Sequence, residues 1–288
     1  MNASVAPPET QWPAPLSAKE WDERFPGVMD SIGLFGAGAN IIMQLALAPV
    51  GHGVAESKVQ SGSIFHHPIK RTRTTLTYLA VAMLGNSQEK QAYRSAVNRS
   101  HAQVRSDENS PVKYNAFSPE LQLWVAACLY WGYRDIMEKF WGPMSREQEE
   151  AFYRLAEPLG TTLQVRPEMW PRDLTAFEEY WQETLPKLHI DDRVRAMLTD
   201  IADLKFMPRP VSALLGGFHR FVTIGFLPPE VREQMHFDWS PAQQTRFERL
   251  LKLVGRTNRW MPRVLRQAPT LFFMTDFRRR LRKGLPMV

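Results

Sequence analysis

The chain reads as an all-α protein, and three observations carry that reading. Apolar residues recur at three- and four-residue spacing along most of its length, no stretch keeps the two-residue alternation of a half-buried strand, and no hairpin dipeptide separates apolar runs. With 288 residues, 44% of them apolar and 11% aromatic, the chain can bury a sizeable core. Trp and Phe residues on both sides of the proline-rich passage LKFMPRPVS indicate one domain and not two lobes. The expectation is a single large helical domain of about 10–12 helices. It spans residues 17–276, with an extended arm at 1–16 and a basic tail at 277–288. No internal repeat of the solenoid kind is present.

The elements follow in order. The first residues contain Pro7, Pro8, Pro13 and Pro15 and lack the basic start and apolar stretch of a signal peptide, which predicts an extended arm. Ser17 and Glu20 form an S-x-x-E capping box that opens the first helix. SIGLFGAGANIIMQLALAPVGHG carries no charge between Asp30 and His52 and is long enough to cross a bilayer. Asn40, Gln44, Pro49 and the missing basic flank favour a buried helix instead. Its GLFGAGANI run lacks a preceding β-branched strand and the third glycine of a dinucleotide fingerprint. The glycines read as points where another backbone or a flat ligand comes close.

Residues 71–84 are periodic through Leu76, Leu79 and Met83 and stop at Gly85-Asn86, after which Ser87 is expected to cap the next helix. FSPELQLWVAACLYWGYRDIMEKFWGP begins with Ser118 as N-cap and Pro119 at the first helical position, and it ends at Gly142-Pro143. It is apolar nearly all round through its first half, which marks a central buried helix. Ser145 and Gln148 form another capping box. Helices at 171–184, 192–203, 211–224 and 241–259 follow, each bounded by Pro, Gly, Ser or Asp.

Charge and motifs narrow the chemistry. The net charge of +6 is scattered, apart from FRRRLRKG at 277–284. That run reads either as a solvated terminus or as a peripheral contact with an anionic lipid surface. Scattered charge alone does not build a nucleic-acid interface, and none is expected. The single cysteine, Cys128, lies inside an apolar run, so disulfides and thiolate-rich metal sites are excluded and a reducing, cytoplasmic compartment is expected. None of the seven histidines belongs to an H-E-x-x-H pair, and neither a G-x-S-x-G elbow nor a P-loop is present, which removes the usual support for hydrolase and nucleotide-dependent readings.

Four residues remain as candidates. Tyr93, Val97, His101 and Val104 fall on one helical stripe, so the His101 imidazole is either a metal ligand or a hydrogen-bonded core histidine. Arg71 and Thr75 project from one helical side. They can hold an anion or a propionate, although an arginine near a helix start is also ordinary. Glu56 sits among Gly53, Val54 and Ala55. Against apolar walls its pKa would rise, as suits a general base; a helix terminus or a salt bridge is the other fate of such a residue.

The order P-I-K-R-T-R-T-T-L-T-Y-L, then V-N-R-S-H-A-Q-V, resembles the core motif of the bacterial rubber oxygenase (latex-clearing protein) and MpaB-type oxygenase family. The resemblance continues through FSPELQLWVAACLYWGYRDIMEKFWGP, MWPRDLTAFEEYWQETL and LLGGFHRFVTIGFLPPEVREQMHFDWS, covering most of the chain from about Gly33 to Arg280. It implies an all-helical fold with a globin-like core and one b-type haem. His101 matches the family's proximal histidine and metal ligand, Arg71 and Thr75 its haem-side pair, and Glu56 its proposed base. Three positions depart from the pattern: Thr74 stands where the rubber oxygenase has a lysine, Ala126 where many relatives have a histidine, and Ser106 where they have a glycine.

The implied function is a haem b-dependent oxygenase. O2 binds opposite His101, and the substrate is a hydrophobic small molecule or lipid-like chain, unsaturated or isoprenoid-like, in a pocket lined by residues 34–47 and 121–131. The alternative is a non-catalytic haem or hydrophobic-ligand carrier on the same scaffold.

Overall fold

Local capping chemistry places most of the helix starts. In the computed structural model, which describes residues 12–57, 59 and 62–288, Ser17 and Ser145 close reciprocal boxes with Glu20 and Gln148. The Ser118 side chain accepts from Leu121 N ahead of Pro119. The start of the histidine-bearing helix differs from expectation by one residue. Asn86, with extended backbone, is the N-cap and exchanges hydrogen bonds with Glu89, so Ser87 is already helical.

The α-helices are α1 (Ala18–Arg24), α2 (Ala37–Leu45), α3 (Ala48–Ala55), α4 (Pro68–Leu84), α5 (Ser87–His101), α6 (Pro119–Trp141), α7 (Arg146–Ala156), α8 (Pro158–Thr161), α9 (Leu174–Thr184), α10 (Asp192–Ala202), α11 (Arg209–Phe226), α12 (Pro229–Gln234), α13 (Pro241–Trp260), α14 (Arg263–Arg266) and α15 (Ala268–Arg282). The number exceeds the expectation because α8, α12 and α14 are one-turn or two-turn pieces set off by prolines. Among the described residues the one β pairing is an isolated bridge between Arg105 and Asn115, and all long helices share a continuous apolar core. The class is all-α, in a single domain.

The uncharged segment is not one buried helix. It divides into a 3-10 turn at Ser31–Gly36, then α2, then α3, with a 105° bend between the first two pieces and α3. Leu47 adopts extended backbone and Pro49 lies in the first turn of α3, where its missing N–H leaves no bond unmade. Among the described residues no single helix is long and apolar enough to cross a membrane. The polar residues of α2 tie it to the central helix. Asn40 Nδ2 donates to Cys128 O at 2.6 Å, Gln44 Nε2 donates to Asn40 Oδ1 at 2.6 Å, and Trp124 Nε1 donates to Gln44 O at 3.1 Å. Close approach at the glycines is real at Gly38, where a Cβ would collide with Thr223 of α11.

α6 lies at the centre of an aromatic stack. Trp124 and Trp131 stack on Trp181 of α9 at 5.2 and 5.3 Å, and Tyr130 meets Phe177 edge-on at 4.7 Å. At the chain's far end, α15 lies along α4 and continues through Arg282 with Phe277 buried. The expected basic tail is therefore largely helix, and three of its cations are engaged: Arg278 with Glu89, and Arg279 and Arg280 with Asp276. The expected arm falls mostly on residues 1–11, outside the described residues. Its end is docked, with Trp12 Nε1 donating to Thr161 Oγ1 at 3.1 Å.

Candidate functional site

His101 is the last residue of α5, and the loop 102–118 carries the chain from it to α6. Tyr93, two turns earlier on the same stripe, is fully buried and donates its hydroxyl to Thr74 O of α4 at 2.6 Å, which fixes the two helices side by side. The imidazole of His101 meets the Phe117 ring edge-on at 6.4 Å, and its Nδ1 is buried with no hydrogen-bond partner among the described residues. Burial first, and the Arg71 charge second, push its pKa down to about 4. At neutral pH the ring is uncharged, which is the form that ligates a metal.

Arg71 is enclosed enough that burial pulls its guanidinium below the usual range, yet its side chain is open to solvent. Its charge also acts on the His101 imidazole. Thr75, one turn along α4, is partly buried. The structure thus brings Arg71 and His101 into one electrostatic neighbourhood with Thr75 beside them.

Glu56 belongs to a different cluster. As C-cap of α3, its carboxylate accepts from Ser110 Oγ at 2.8 Å, Tyr114 OH at 3.0 Å and Arg193 at 3.2 Å, and faces His52 Nδ1 at 3.0 Å. His52 is itself buried and reaches Asp191 Oδ2 at 2.5 Å through Nε2. The ring is thus held between two carboxylates, one at each nitrogen. Of the two fates open to Glu56, the structure shows the salt bridge and not the apolar wall. Burial acts upward, but the donors His52, Ser110 and Tyr114 outweigh it and hold the carboxyl below its ordinary 4.5. The loop 102–118 joins the two clusters, because Ser110 and Tyr114 hold Glu56 while Phe117 packs on His101.

A pH dependence follows from that loop. Glu56 and Asp191 both have folded pKa values below their ordinary 4.5 and 3.8, so their stabilisation is complete above those values and is lost as pH falls through the folded ones. Hydrogen-exchange protection of residues 104–117, taken relative to the unfolded chain at the same pH, is expected to fall as pH drops below the ordinary carboxylate range. Glu56→Gln should produce the same loss of protection at neutral pH.

The match to known proteins runs over this same region. Residues 27–256 fit the family model described as ER-bound oxygenase mpaB/B'/Rubber oxygenase, catalytic domain. The chain belongs to this oxygenase family. Uncharacterized protein Rv2237 of Mycobacterium tuberculosis and Uncharacterized protein Mb2261 of Mycobacterium bovis are each 48% identical to it over 250 residues, covering 87% of this chain and 98% of theirs. No solved structure matches it.

Within the mpaB/rubber oxygenase domain the three departures have local explanations. Thr74 turns its hydroxyl back to Lys70 O of its own helix at 2.9 Å, so its donor is used within α4. Ala126 is buried where α8 crosses α6; a Cβ on Gly160 would stand 3.2 Å from its methyl, which leaves no room for an imidazole. Ser106 pairs with Tyr114 through both backbone and side chain, ordering the loop that holds Glu56. The reading from sequence missed His52, Asp191, Ser110, Tyr114 and Arg193. The four-residue spacing of His52 and Glu56 on one helix was the available signal; the others come from segments remote in sequence.

Proposed function

We propose that this oxygenase domain is haem b-dependent and acts on an apolar, unsaturated or isoprenoid-like substrate. The observation that carries the reading is His101, a neutral imidazole with a buried, unpartnered nitrogen within electrostatic reach of Arg71. A buried polar atom without a partner is costly, and a ligand on that nitrogen would remove the cost. Among the described residues no three His, Cys, Asp or Glu side chains gather as a metal-holding group, whereas a haem asks the protein for a single axial ligand.

The residues present fit that group. His101 would hold the iron, and Arg71 with Thr75 would meet the propionates by charge and hydrogen bonding. Bound haem supplies an iron centre at which O2 is activated. Aromatic and aliphatic side chains of α2 and α6 would exclude water around the substrate. Glu56, ionised at neutral pH, is proposed as the proton acceptor. A proton taken up at its Oε1 has His52 Nδ1 3.0 Å away and, beyond the ring, the partly exposed carboxylate of Asp191 as an exit.

Titration of the purified protein with haemin tests the reading. A saturable one-to-one Soret shift and oxygen uptake with an unsaturated lipid are the expected results, with uptake at least tenfold slower in Glu56→Gln. Absence of any specific absorbance shift ends the reading. The inward-turned hydroxyl of Thr74 favours a second reading, a non-catalytic haem or hydrophobic-ligand carrier. In that case the Soret band forms and no oxygen is consumed.

A further inference from the structure

We propose that the corner between α13 and α14 docks this domain onto an anionic lipid bilayer. Seven consecutive residues there, Arg259 to Leu265, are all exposed. Trp260 is 84% exposed, Val264 68% and Leu265 58%, and Leu253, two turns before Trp260 on the same face of α13, is 62% exposed. Single exposed apolar residues are ordinary, but a contiguous set containing a tryptophan is a contact surface.

Charge says which partner it contacts. From Arg249 to Thr275 the chain has no Asp or Glu and carries six cations: Arg249, Lys252, Arg256, Arg259, Arg263 and Arg266. Among the described residues only Arg266 has an ion pair, with Asp22 and Asp30. Five uncompensated cations surround the apolar tip, and Arg249 and Arg256 lie on the same helical face as Leu253 and Trp260. An indole and aliphatic side chains suit the depth of lipid headgroups, while flanking Lys and Arg are drawn to anionic headgroups. A second copy of the chain would set these cations against their own kind.

The corner is also held rigidly, so its exposure is built into the fold. Asn258 Nδ2 donates to Asp30 Oδ2 at 2.7 Å, Arg259 donates to Phe140 O at 2.9 Å, and Met261 N closes the helix on Asn258 O at 3.1 Å. The cations of α15, by contrast, are mostly paired within the domain. The inference is independent of haem, since it uses no residue of the His101 site.

Flotation of the full chain with vesicles tests it. Binding is expected to phosphatidylcholine vesicles containing roughly 30% phosphatidylglycerol and not to phosphatidylcholine alone, with loss at about 0.5 M NaCl. Trp260→Glu and the pair Arg256→Gln, Arg263→Gln should each weaken binding about tenfold or more. Because these side chains are exposed, both variants should keep the wild-type melting temperature. Equal flotation of wild type and both variants overturns the proposal, as does no flotation with anionic vesicles. So does light scattering that finds a dimer dissolved by Trp260→Glu, which would assign the corner to a second copy.

Discussion

Replacing His101 with alanine is expected to abolish the Soret shift that the wild-type protein shows with haemin, and exogenous imidazole should restore part of it. His101 is the candidate whose ring nitrogen is both buried and unpartnered, and its substitution leaves the α4–α5 contact through Tyr93 in place. The variant should therefore still fold, and loss of the band with rescue by imidazole separates ligation from misfolding. A variant that keeps the full wild-type band would show that the iron is held elsewhere. The cofactor-free protein offers a second readout. The His101 pKa is depressed from 6.5 to about 4, so its contribution is complete above pH 6.5 and is lost as pH falls through the folded value. That difference amounts to about 3 kcal/mol. His101→Ala should flatten this part of the stability profile.

Asp30→Ala is expected to destabilise the fold by about 3 kcal/mol. The melting temperature should fall by roughly 5–10 °C in a thermal scan. The Asp30 carboxylate is inaccessible to solvent, pairs with Arg266 and accepts from Asn258 at 2.7 Å. Its removal leaves Arg266 with Asp22 at 3.5 Å as the remaining carboxylate, and it leaves the buried Asn258 amide without this acceptor. Asp30→Asn keeps the shape and should lose less. A melting temperature unchanged in Asp30→Ala would mean that the pair contributes nothing net, as can happen when desolvation cancels attraction.

The helices were legible because their signals are local. Ser17, Ser118 and Ser145 accept from backbone amides three residues on, and the apolar stripe of α5 is written at helical spacing. The same stripe pointed to His101, and the order of motifs identified Arg71 and Thr75 with it. Glu56 was legible as an unusual carboxylate but not in its protonation. Its neighbours in sequence are apolar, whereas its donors Ser110, Tyr114 and Arg193 arrive from other elements. The basic run at 277–284 is a related case. A run of arginines looks solvated until Glu89 and Asp276 are placed beside it.

Amino-acid order alone determined the helical class, most helix starts and the imidazole that faces the interior, since each depends on interactions within a few residues. Tertiary structure alone decided the charge state of Glu56, the bend before α3, the lock between Asp30 and Arg266, and which apolar residues stayed outside. Burial and electrostatic partnership are properties of position in space, and residues far apart in the chain set them only once the fold has closed.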